Sequence, residues 1–189
     1  ADAVFKACKF KEDFLAKYSD FEKRSDFSRS EFRGEALFKY ANFLQMGNFY
    51  NTLYKDEANF KYAEFSTEAD FRECIFEGLA NFKYTKFRSD ISFTKCEFID
   101  DAVFKYTELD DFINFSEVVF NDEAVFKYVK FANGASFENT VFEEEADFKY
   151  AKFGDPLNMK GIDFQDETDF KYTTYKGKSF TQYLLENRD

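Results

Sequence analysis

The chain has 189 residues, with 30 Phe and 12 Tyr but no His, no Trp and a single Pro. Without histidine, Ser–His and Cys–His nucleophilic catalysis is excluded. The net charge of −11 disfavours direct binding to nucleic-acid phosphates, and no apolar run reaches the roughly 20 residues of a membrane-spanning helix. We therefore expect neither nucleic acid nor a membrane as a direct partner.

Phenylalanine recurs from residue 5 onward at alternating intervals of five and six residues. Between residues 5 and 175 this rhythm defines 32 central positions, of which 27 are Phe. The other five are Ala16, Tyr54, Leu109, Met159 and Tyr175. A second small or apolar residue usually stands two places before each centre. Two inward side chains separated by one outward residue predict a very short strand, and the polar residues that follow predict a corner.

A longer period of 22 residues contains four of these short strands. The dipeptide Lys-Tyr marks it, because it occurs eight times at a constant spacing of 22, from Lys17-Tyr18 to Lys171-Tyr172. Four strands per coil would return the chain to its starting side, with coils stacked in parallel about 4.8 Å apart. Spacings of five and six do not keep one face of a helix, so an α-helical reading fails.

The first coil contains an exchange that supports this register. Phe14 stands where a small residue is expected, and Ala16 stands at the centre. The swap keeps the core volume roughly constant, as close packing requires.

Further along, Cys8, Cys74 and Cys96 all fall on small inward positions of one side, so we expect three reduced, buried thiols. Reduced thiols favour a cytoplasmic location.

The repeat ends after Tyr175. Phe180, Tyr183 and Leu184 then follow at helical spacing, and Ser179 with Gln182 matches a capping box. We therefore expect a short helix that covers the last coil. The predicted division is a β-helix over residues 1–178 and a C-terminal cap helix over residues 179–189.

Units such as ADFKY, ANFKY and ANFLQ, repeated in tandem, resemble the pentapeptide-repeat family. The resemblance covers about residues 3–175 and implies an all-β fold, a right-handed quadrilateral parallel β-helix of about eight coils. The usual coil of that family has 20 residues, whereas each coil here has 22, which resembles an eleven-residue, Phe-centred subtype. We therefore expect two tight and two wider corners per coil.

The most regular outward feature is the Lys-Tyr dipeptide, which repeats along one side of the predicted rod. We take it as a candidate interaction surface, against the alternative that duplication and charge balance explain it. The candidate residues are Lys39, Tyr40, Lys61, Tyr62, Lys83, Tyr84, Lys105, Tyr106, Lys127, Tyr128, Lys149 and Tyr150. Two acidic columns precede it along each coil, and their carboxylates are expected to be solvated corners. No catalytic, metal-binding or cofactor-binding residue is predicted.

Composition and regularity favour a non-enzymatic scaffold or protein-binding rod whose partner is unknown. The resemblance also implies an alternative, because quinolone-resistance members of the family are acidic rods that mimic DNA and bind a DNA topoisomerase. A carbohydrate-active enzyme would need long loops, and an ice-binding face would need outward Thr residues, yet the Thr residues here occupy inward positions. The exposed Phe residues of an end coil predict a weak homodimer through that end.

Overall fold

The chain folds as an all-β parallel solenoid of about eight coils, as the 22-residue period predicts. The computed structural model describes residues 1–186, with side chains up to Leu184; residues 187–189 of the predicted cap segment lie outside the described residues. Each coil contributes one two-residue strand to each of four sheets. Ala58, for example, is paired with Ala36 in the preceding coil and Ala80 in the following one, so the register is 22 residues throughout.

Four sheets form the four faces of the rod. Face 1 contains β1 (Ala3–Val4), β5 (Ser25–Asp26), β9 (Gly47–Asn48), β13 (Ala69–Asp70), β17 (Ile91–Ser92), β21 (Ile113–Asn114), β25 (Ala135–Ser136) and β29 (Leu157–Asn158). Face 2 contains β2 (Lys9–Phe10), β6 (Glu31–Phe32), β10 (Leu53–Tyr54), β14 (Ile75–Phe76), β18 (Glu97–Phe98), β22 (Val119–Phe120), β26 (Val141–Phe142) and β30 (Asp163–Phe164). Face 3 contains β3 (Phe14–Leu15), β7 (Ala36–Leu37), β11 (Ala58–Asn59), β15 (Ala80–Asn81), β19 (Ala102–Val103), β23 (Ala124–Val125), β27 (Ala146–Asp147) and β31 (Thr168–Asp169). Face 4 contains β4 (Asp20–Phe21), β8 (Asn42–Phe43), β12 (Glu64–Phe65), β16 (Lys86–Phe87), β20 (Glu108–Leu109), β24 (Lys130–Phe131), β28 (Lys152–Phe153), β32 (Thr174–Tyr175) and β33 (Lys178–Ser179).

The core consists of Phe rings stacked in columns along the rod. Phe82 lies between Phe60 and Phe104, with both ring centroids 5.0 Å away and the rings nearly parallel. Between columns the rings meet edge to face, as Phe71 does with Phe82 at 5.5 Å and 88°. Both arrangements are favourable for the aromatic quadrupole. The central positions therefore point inward, as the spacing predicts.

The small inward side chains link each coil to the one before it. Thr85 Oγ1 donates a hydrogen bond to the Phe60 carbonyl at 2.8 Å, and Cys74 Sγ lies 2.9 Å from the Phe49 carbonyl oxygen. The same hydrogen bond, from the side chain to the backbone carbonyl 25 residues earlier, is formed by Ser30, Thr52, Cys96, Thr107, Thr140 and Thr173. These hydroxyls are consequently used inside the solenoid rather than displayed on its surface.

The first coil bears out the predicted exchange. Ala16 is buried, and the Phe14 ring lies in the core, 5.4 Å from Phe32 and 5.3 Å from Phe38.

The expectation of three buried thiols is wrong for one of them: Cys74 and Cys96 are buried free thiols, but Cys8 is only half-buried. Cys8 stands in the predicted column, but in the described chain it belongs to the first coil, which is stacked on one side only.

Corners alternate between a tight and a wide form, as expected. Each tight corner is a four-residue turn that begins at a central position, and its third residue has a positive φ. A hydrogen bond from the N–H of the fourth residue to the carbonyl of the first closes the turn, as from Ala63 to Phe60 at 2.9 Å. A positive φ at the third residue is typical of a type II turn. In the wide corners of the described chain, only Gly134 has a positive φ, at 96°.

The C-terminal segment covers part of the last coil. Strand β33 pairs antiparallel with β32 across Lys176 and Gly177, whose φ values of 48° and 75° suit a two-residue hairpin. Helix α1 (Phe180–Glu186) follows, confirming the predicted helix, and the buried Phe180 ring packs 4.7 Å from Phe170. The hairpin strand was not predicted. In the described chain, α1 is too short to cross a membrane.

Tyr54 supplies a test of the core, because its hydroxyl is buried without a hydrogen-bond partner. The ring stacks between Phe32 and Phe76 at 5.2 and 4.8 Å. An unsatisfied buried hydroxyl costs about 1–3 kcal/mol. We predict that Tyr54→Phe raises the free energy of unfolding in urea by about 1 kcal/mol. Phe98→Tyr, in the same column, should lower it; a destabilising Tyr54→Phe would contradict the assignment.

Candidate functional site

The predicted interaction residues form one continuous edge of the rod, between faces 3 and 4. Each Lys-Tyr pair occupies the two middle positions of a tight corner, so the eight pairs stand directly above one another. We call these pairs the Lys-Tyr ladder: Lys17, Tyr18, Lys171, Tyr172 and the twelve candidate residues between them. Successive Tyr rings are 4.7–4.9 Å apart and close to parallel. The structure therefore brings the candidate residues together.

The Tyr residues of the ladder adopt an unusual backbone conformation. All eight have a positive φ, between 59° and 63°. A left-handed conformation costs a residue with a side chain about 1–2 kcal/mol, and Gly or Asn is the usual residue at this position of a type II turn. The left-handed backbone of this corner thus disfavours Tyr, although Tyr occupies the position in every coil.

The tight corner between faces 1 and 2 provides an internal comparison. It has the same geometry, yet its middle dipeptide is different in each coil. These dipeptides are Lys6-Ala7, Ser28-Arg29, Tyr50-Asn51, Arg72-Glu73, Thr94-Lys95, Ser116-Glu117, Glu138-Asn139 and Lys160-Gly161. Duplication of a 22-residue unit copies both corners equally. Duplication alone therefore does not explain why only the Lys-Tyr corner is uniform.

The ladder lysines make two kinds of contact. Nζ of Lys39, Lys61, Lys83, Lys105 and Lys171 lies 5.2–5.5 Å from the ring centroid of the following Tyr. Such cation–π contacts are worth about 0.5–1 kcal/mol at exposed sites. Two lysines instead form ion pairs on face 3, with Lys127 3.7 Å from Asp147 and Lys149 3.0 Å from Asp169.

An acidic corner lies on the opposite border of face 3. We use this name for residues 12 and 13 and their equivalents in each later coil, which are Asp or Glu at 13 of 16 positions. These carboxylates are Glu12, Asp13, Glu35, Asp56, Glu57, Asp100, Asp101, Asp122, Glu123, Glu144, Glu145, Asp166 and Glu167. Their 13 charges exceed the net charge of −11, so the rest of the chain is slightly positive.

Like charges accumulate at this corner. Carboxylate oxygens of Asp100, Asp101 and Asp122 all lie within 4.8 Å of one another. Burial raises the pKa of Asp101, and Asp122 and Asp100 raise it further. Burial also raises the pKa of Glu123, with Asp101 as the next cause. Oxygen ligands of this kind suit hard cations, but stacked acidic corners produce such clusters by themselves, and we assign no metal here.

Face 4 shows how charges elsewhere on the rod are satisfied. Arg88 lies 2.7 Å from Asp110, 3.2 Å from Glu64 and 3.3 Å from Glu108. This network was not predicted, although the 22-residue period does place Glu64 and Glu108 in one column. The carboxylates around Arg88 are therefore ion-paired, whereas none of the 13 acidic-corner carboxylates forms an ion pair within the described chain.

One concavity lies at the C-terminal end of the rod, next to the last Lys-Tyr pair of the ladder. Its volume is about 770 Å³, and it is bordered by the last coil and α1, including Phe170, Tyr172 and Leu184. Its lining in the described chain contains hydroxyls and one lysine but no carboxylate. The concavity thus offers no pair of acid and base for catalysis.

The positive φ of the ladder tyrosines leads to a mutational prediction. Tyr106→Ala removes ring contacts to Tyr84 and Tyr128 but keeps the backbone cost, so the free energy of unfolding should fall by about 1–2 kcal/mol. Tyr106→Asn loses the same contacts but relieves the backbone, so its loss should be about 1 kcal/mol smaller. Glu117→Asn, in the other tight corner, is the control and should not destabilise. Equal losses for Ala and Asn would contradict the backbone argument.

The raised pKa of Asp101 gives a pH prediction. A carboxyl whose folded pKa is raised destabilises the fold once it ionises, so that stability is lost as pH rises through the folded pKa. Asp101→Asn should therefore stabilise at about pH 7, by up to about 0.5 kcal/mol, and lose this advantage near pH 3. The backbone N–H of Lys171, and then Lys149, lower the pKa of Asp169, so Asp169→Asn should instead destabilise at neutral pH and lose its effect on acidification. Urea denaturation at both pH values checks the two signs; a pH-independent Asp101→Asn effect would contradict the first.

Comparison with known proteins identifies the family. A family model described as pentapeptide repeats (9 copies) matches residues 38–86, 60–108, 82–129, 104–152 and 126–174, which together exceed half of the chain. A search of curated proteins gives no match. Among solved structures, the chain is similar to QnrB1, a plasmid-mediated fluoroquinolone resistance protein, at 18% identity over 98% of this chain and 95% of that chain. The TM-score is 0.30, too low to support an argument about function. On the family match and the coil geometry, the chain belongs to the pentapeptide-repeat family.

Proposed function

We propose that this protein is a non-enzymatic solenoid rod that binds another protein through its Lys-Tyr ladder. The observation that carries the proposal is the uniformity of this corner: Tyr occupies a left-handed position in all eight coils, while the equivalent corner varies freely. Stacking offsets part of the backbone cost, but Asn or Gly would avoid that cost altogether. A binding role for the rings and amines accounts for their retention.

The chemistry of the ladder favours a partner with an acidic surface. Most ladder lysines lie over tyrosine rings rather than against carboxylates, and their amines remain partly accessible. Tyr hydroxyls at the exposed edge add donors to the same row. Aromatic residues with a polar tip are enriched at protein interfaces. A non-enzymatic role is supported by the lack of histidine and by a concavity without carboxylates.

A triple substitution tests the ladder. Lys83→Gln, Lys105→Gln and Lys127→Gln together should abolish capture of a partner from host lysate while lowering the free energy of unfolding by only about 1–3 kcal/mol, the combined value of two cation–π contacts and one exposed ion pair. The matched control is Lys86→Gln, Lys130→Gln and Lys152→Gln on face 4, which removes the same charge. Partner capture that survives the ladder substitutions, or that is lost equally in the control, would contradict the proposal.

A second candidate function rests on the acidic corner. Thirteen carboxylates over eight coils of about 4.8 Å give one charge per about 3 Å, compared with about 1.7 Å of axis in duplex DNA, and the row is interrupted at Gly78-Leu79. This density supports DNA mimicry toward a DNA topoisomerase as the alternative. A row of lysines one face away argues against it. Inhibition of DNA supercoiling that disappears in Asp100→Asn, Asp122→Asn and Glu144→Gln would favour the alternative.

Association through a coil end and a cytoplasmic location also remain part of the proposal. Phe5, Phe10, Phe14 and Phe21 of the first described coil are only half-buried, and either a further coil or a second copy would cover them. Three free thiols support a reducing compartment.

A further inference from the structure

Face 3, between the acidic corner and the Lys-Tyr ladder, has a midline that is aliphatic in four coils and polar in the other four, and one of its aliphatic residues, Leu37, is itself buried (6% exposed). One outward side chain per coil runs up its centre: Leu15, Leu37, Asn59, Asn81, Val103, Val125, Asp147 and Asp169. Leu15 is 70% exposed, and Val103 and Val125 are half-buried. The midline of face 1, in comparison, is polar in every coil after Val4. Face 3 thus combines exposed or half-buried aliphatic side chains at Leu15, Val103 and Val125 with two charged borders of opposite sign, and a polar rim around apolar contacts is usual in protein interfaces.

The two charged borders are largely without ion pairs within one copy, although several of the carboxylates accept backbone hydrogen bonds. In the part of the chain that the structure describes, none of the 13 acidic-corner carboxylates forms an ion pair. Of the eight ladder lysines, only Lys127 and Lys149 do, and their partners are Asp147 and Asp169 on the midline. The opposite charges are separated by the width of the face, and each border has the same spacing of one coil.

We propose that the partner of the Lys-Tyr ladder is the acidic corner of a second copy of this chain, in a parallel, side-by-side dimer that buries face 3 of both copies. This inference rests on the proposed function, because it requires the ladder to be an interaction surface. A two-fold axis parallel to the rod places the ladder of each copy against the acidic corner of the other. It also places each midline residue opposite its own equivalent.

Register and orientation follow from the repeat. Because both copies have the same coil spacing, a contact between Lys105 and the partner's acidic corner at Asp101 is repeated between Lys61 and Glu57. A two-fold axis perpendicular to the rod would instead place acid against acid and lysine against lysine. The midline carboxylates of Asp147 and Asp169 are neutralised by Lys127 and Lys149. Charge complementarity therefore selects the parallel arrangement.

The size of the face predicts a weak association. Seven coil intervals of about 4.8 Å span about 34 Å, and four extended residues make the face up to about 13 Å wide. Two copies would bury roughly 900 Å², which is below the 1,200–2,000 Å² of a standard stable interface. The dimer should therefore form at high concentration and dissociate as salt screens its borders. Amines of the second copy would also relieve the repulsion among Asp100, Asp101 and Asp122, whose carboxylate oxygens lie within 4.8 Å of one another.

Face 2 is the natural control surface. Its midline also carries aliphatic residues at Leu53, Ile75, Val119 and Val141. Its borders are the acidic corner and the variable tight corner, so a second copy would find no continuous row of cations there. Val103→Asp on face 3 should prevent dimerisation, whereas Val119→Asp on face 2 should not.

A charge exchange tests the pairing directly. The lysine variant carries Lys61→Glu, Lys105→Glu and Lys127→Glu, and the acid variant carries Glu57→Lys, Asp101→Lys and Glu123→Lys in the same three coils. Each variant alone should be monomeric by sedimentation at low salt under conditions where the unmodified chain dimerises. An equimolar mixture should restore a dimer containing one copy of each. For the unmodified chain, raising salt from about 50 to about 500 mM should weaken association at least about tenfold.

Disulfide cross-linking between two copies distinguishes a parallel from an antiparallel dimer. Asn59→Cys in a Cys8→Ser background should form a disulfide-linked dimer on mild oxidation, because the parallel axis brings this residue close to its equivalent. Asn48→Cys, in the same coil on face 1, should not. An antiparallel pair would place Asn59 opposite a coil three intervals away, and a contact between first coils would leave it far from its equivalent.

Three results would overturn the inference: a monomeric chain at high concentration and low salt, dimers of the single variants equal to that of the unmodified chain, or a mixture that does not associate. A salt-insensitive dimer unaffected by the charge exchange would point to a coil-end contact instead. If self-association is absent but ladder lysines still control capture of another protein, only this inference fails. If capture is also independent of the ladder, the proposed function fails with it.

Discussion

The vertical contact between equivalent residues in successive coils underlies every other feature of the rod. Each Phe ring meets the ring 22 residues away at about the distance between neighbouring β-strands, so the backbone hydrogen bonds and the aromatic stacks share one repeat length. On the surface, the same repeat length places equivalent residues of successive coils above one another, so that amines, rings and carboxylates form rows along the rod.

Much of this architecture can be read from the sequence because the inward positions recur so regularly. The 22-residue period predicts the strand register, the placement of Phe82 between Phe60 and Phe104, and the swap of Phe14 with Ala16. The C-terminal helix is also predictable, since its apolar residues change to helical spacing. These features depend on which side of the chain a residue faces, and periodicity specifies the side directly.

Other features depend on neighbours that periodicity does not describe. The half-exposure of Cys8 reflects the number of coils around it, and the Arg88 network depends on side-chain reach across two coils. The positive φ of the ladder tyrosines follows from closing a tight corner, against the preference of Tyr itself. The candidate site was thus located by its repetition, but its energetic significance emerges only from the backbone geometry.

The stacked phenol rings also have an optical consequence. The chain lacks Trp, and eight of its 12 Tyr residues belong to one parallel stack. Transition dipoles held a few ångströms apart in a fixed orientation couple with one another, so the near-ultraviolet circular dichroism of this protein should arise mainly from one edge of the rod. Because the coupling requires adjacent coils to be intact, the signal reports the length of continuous solenoid, and local opening can be followed without an added label.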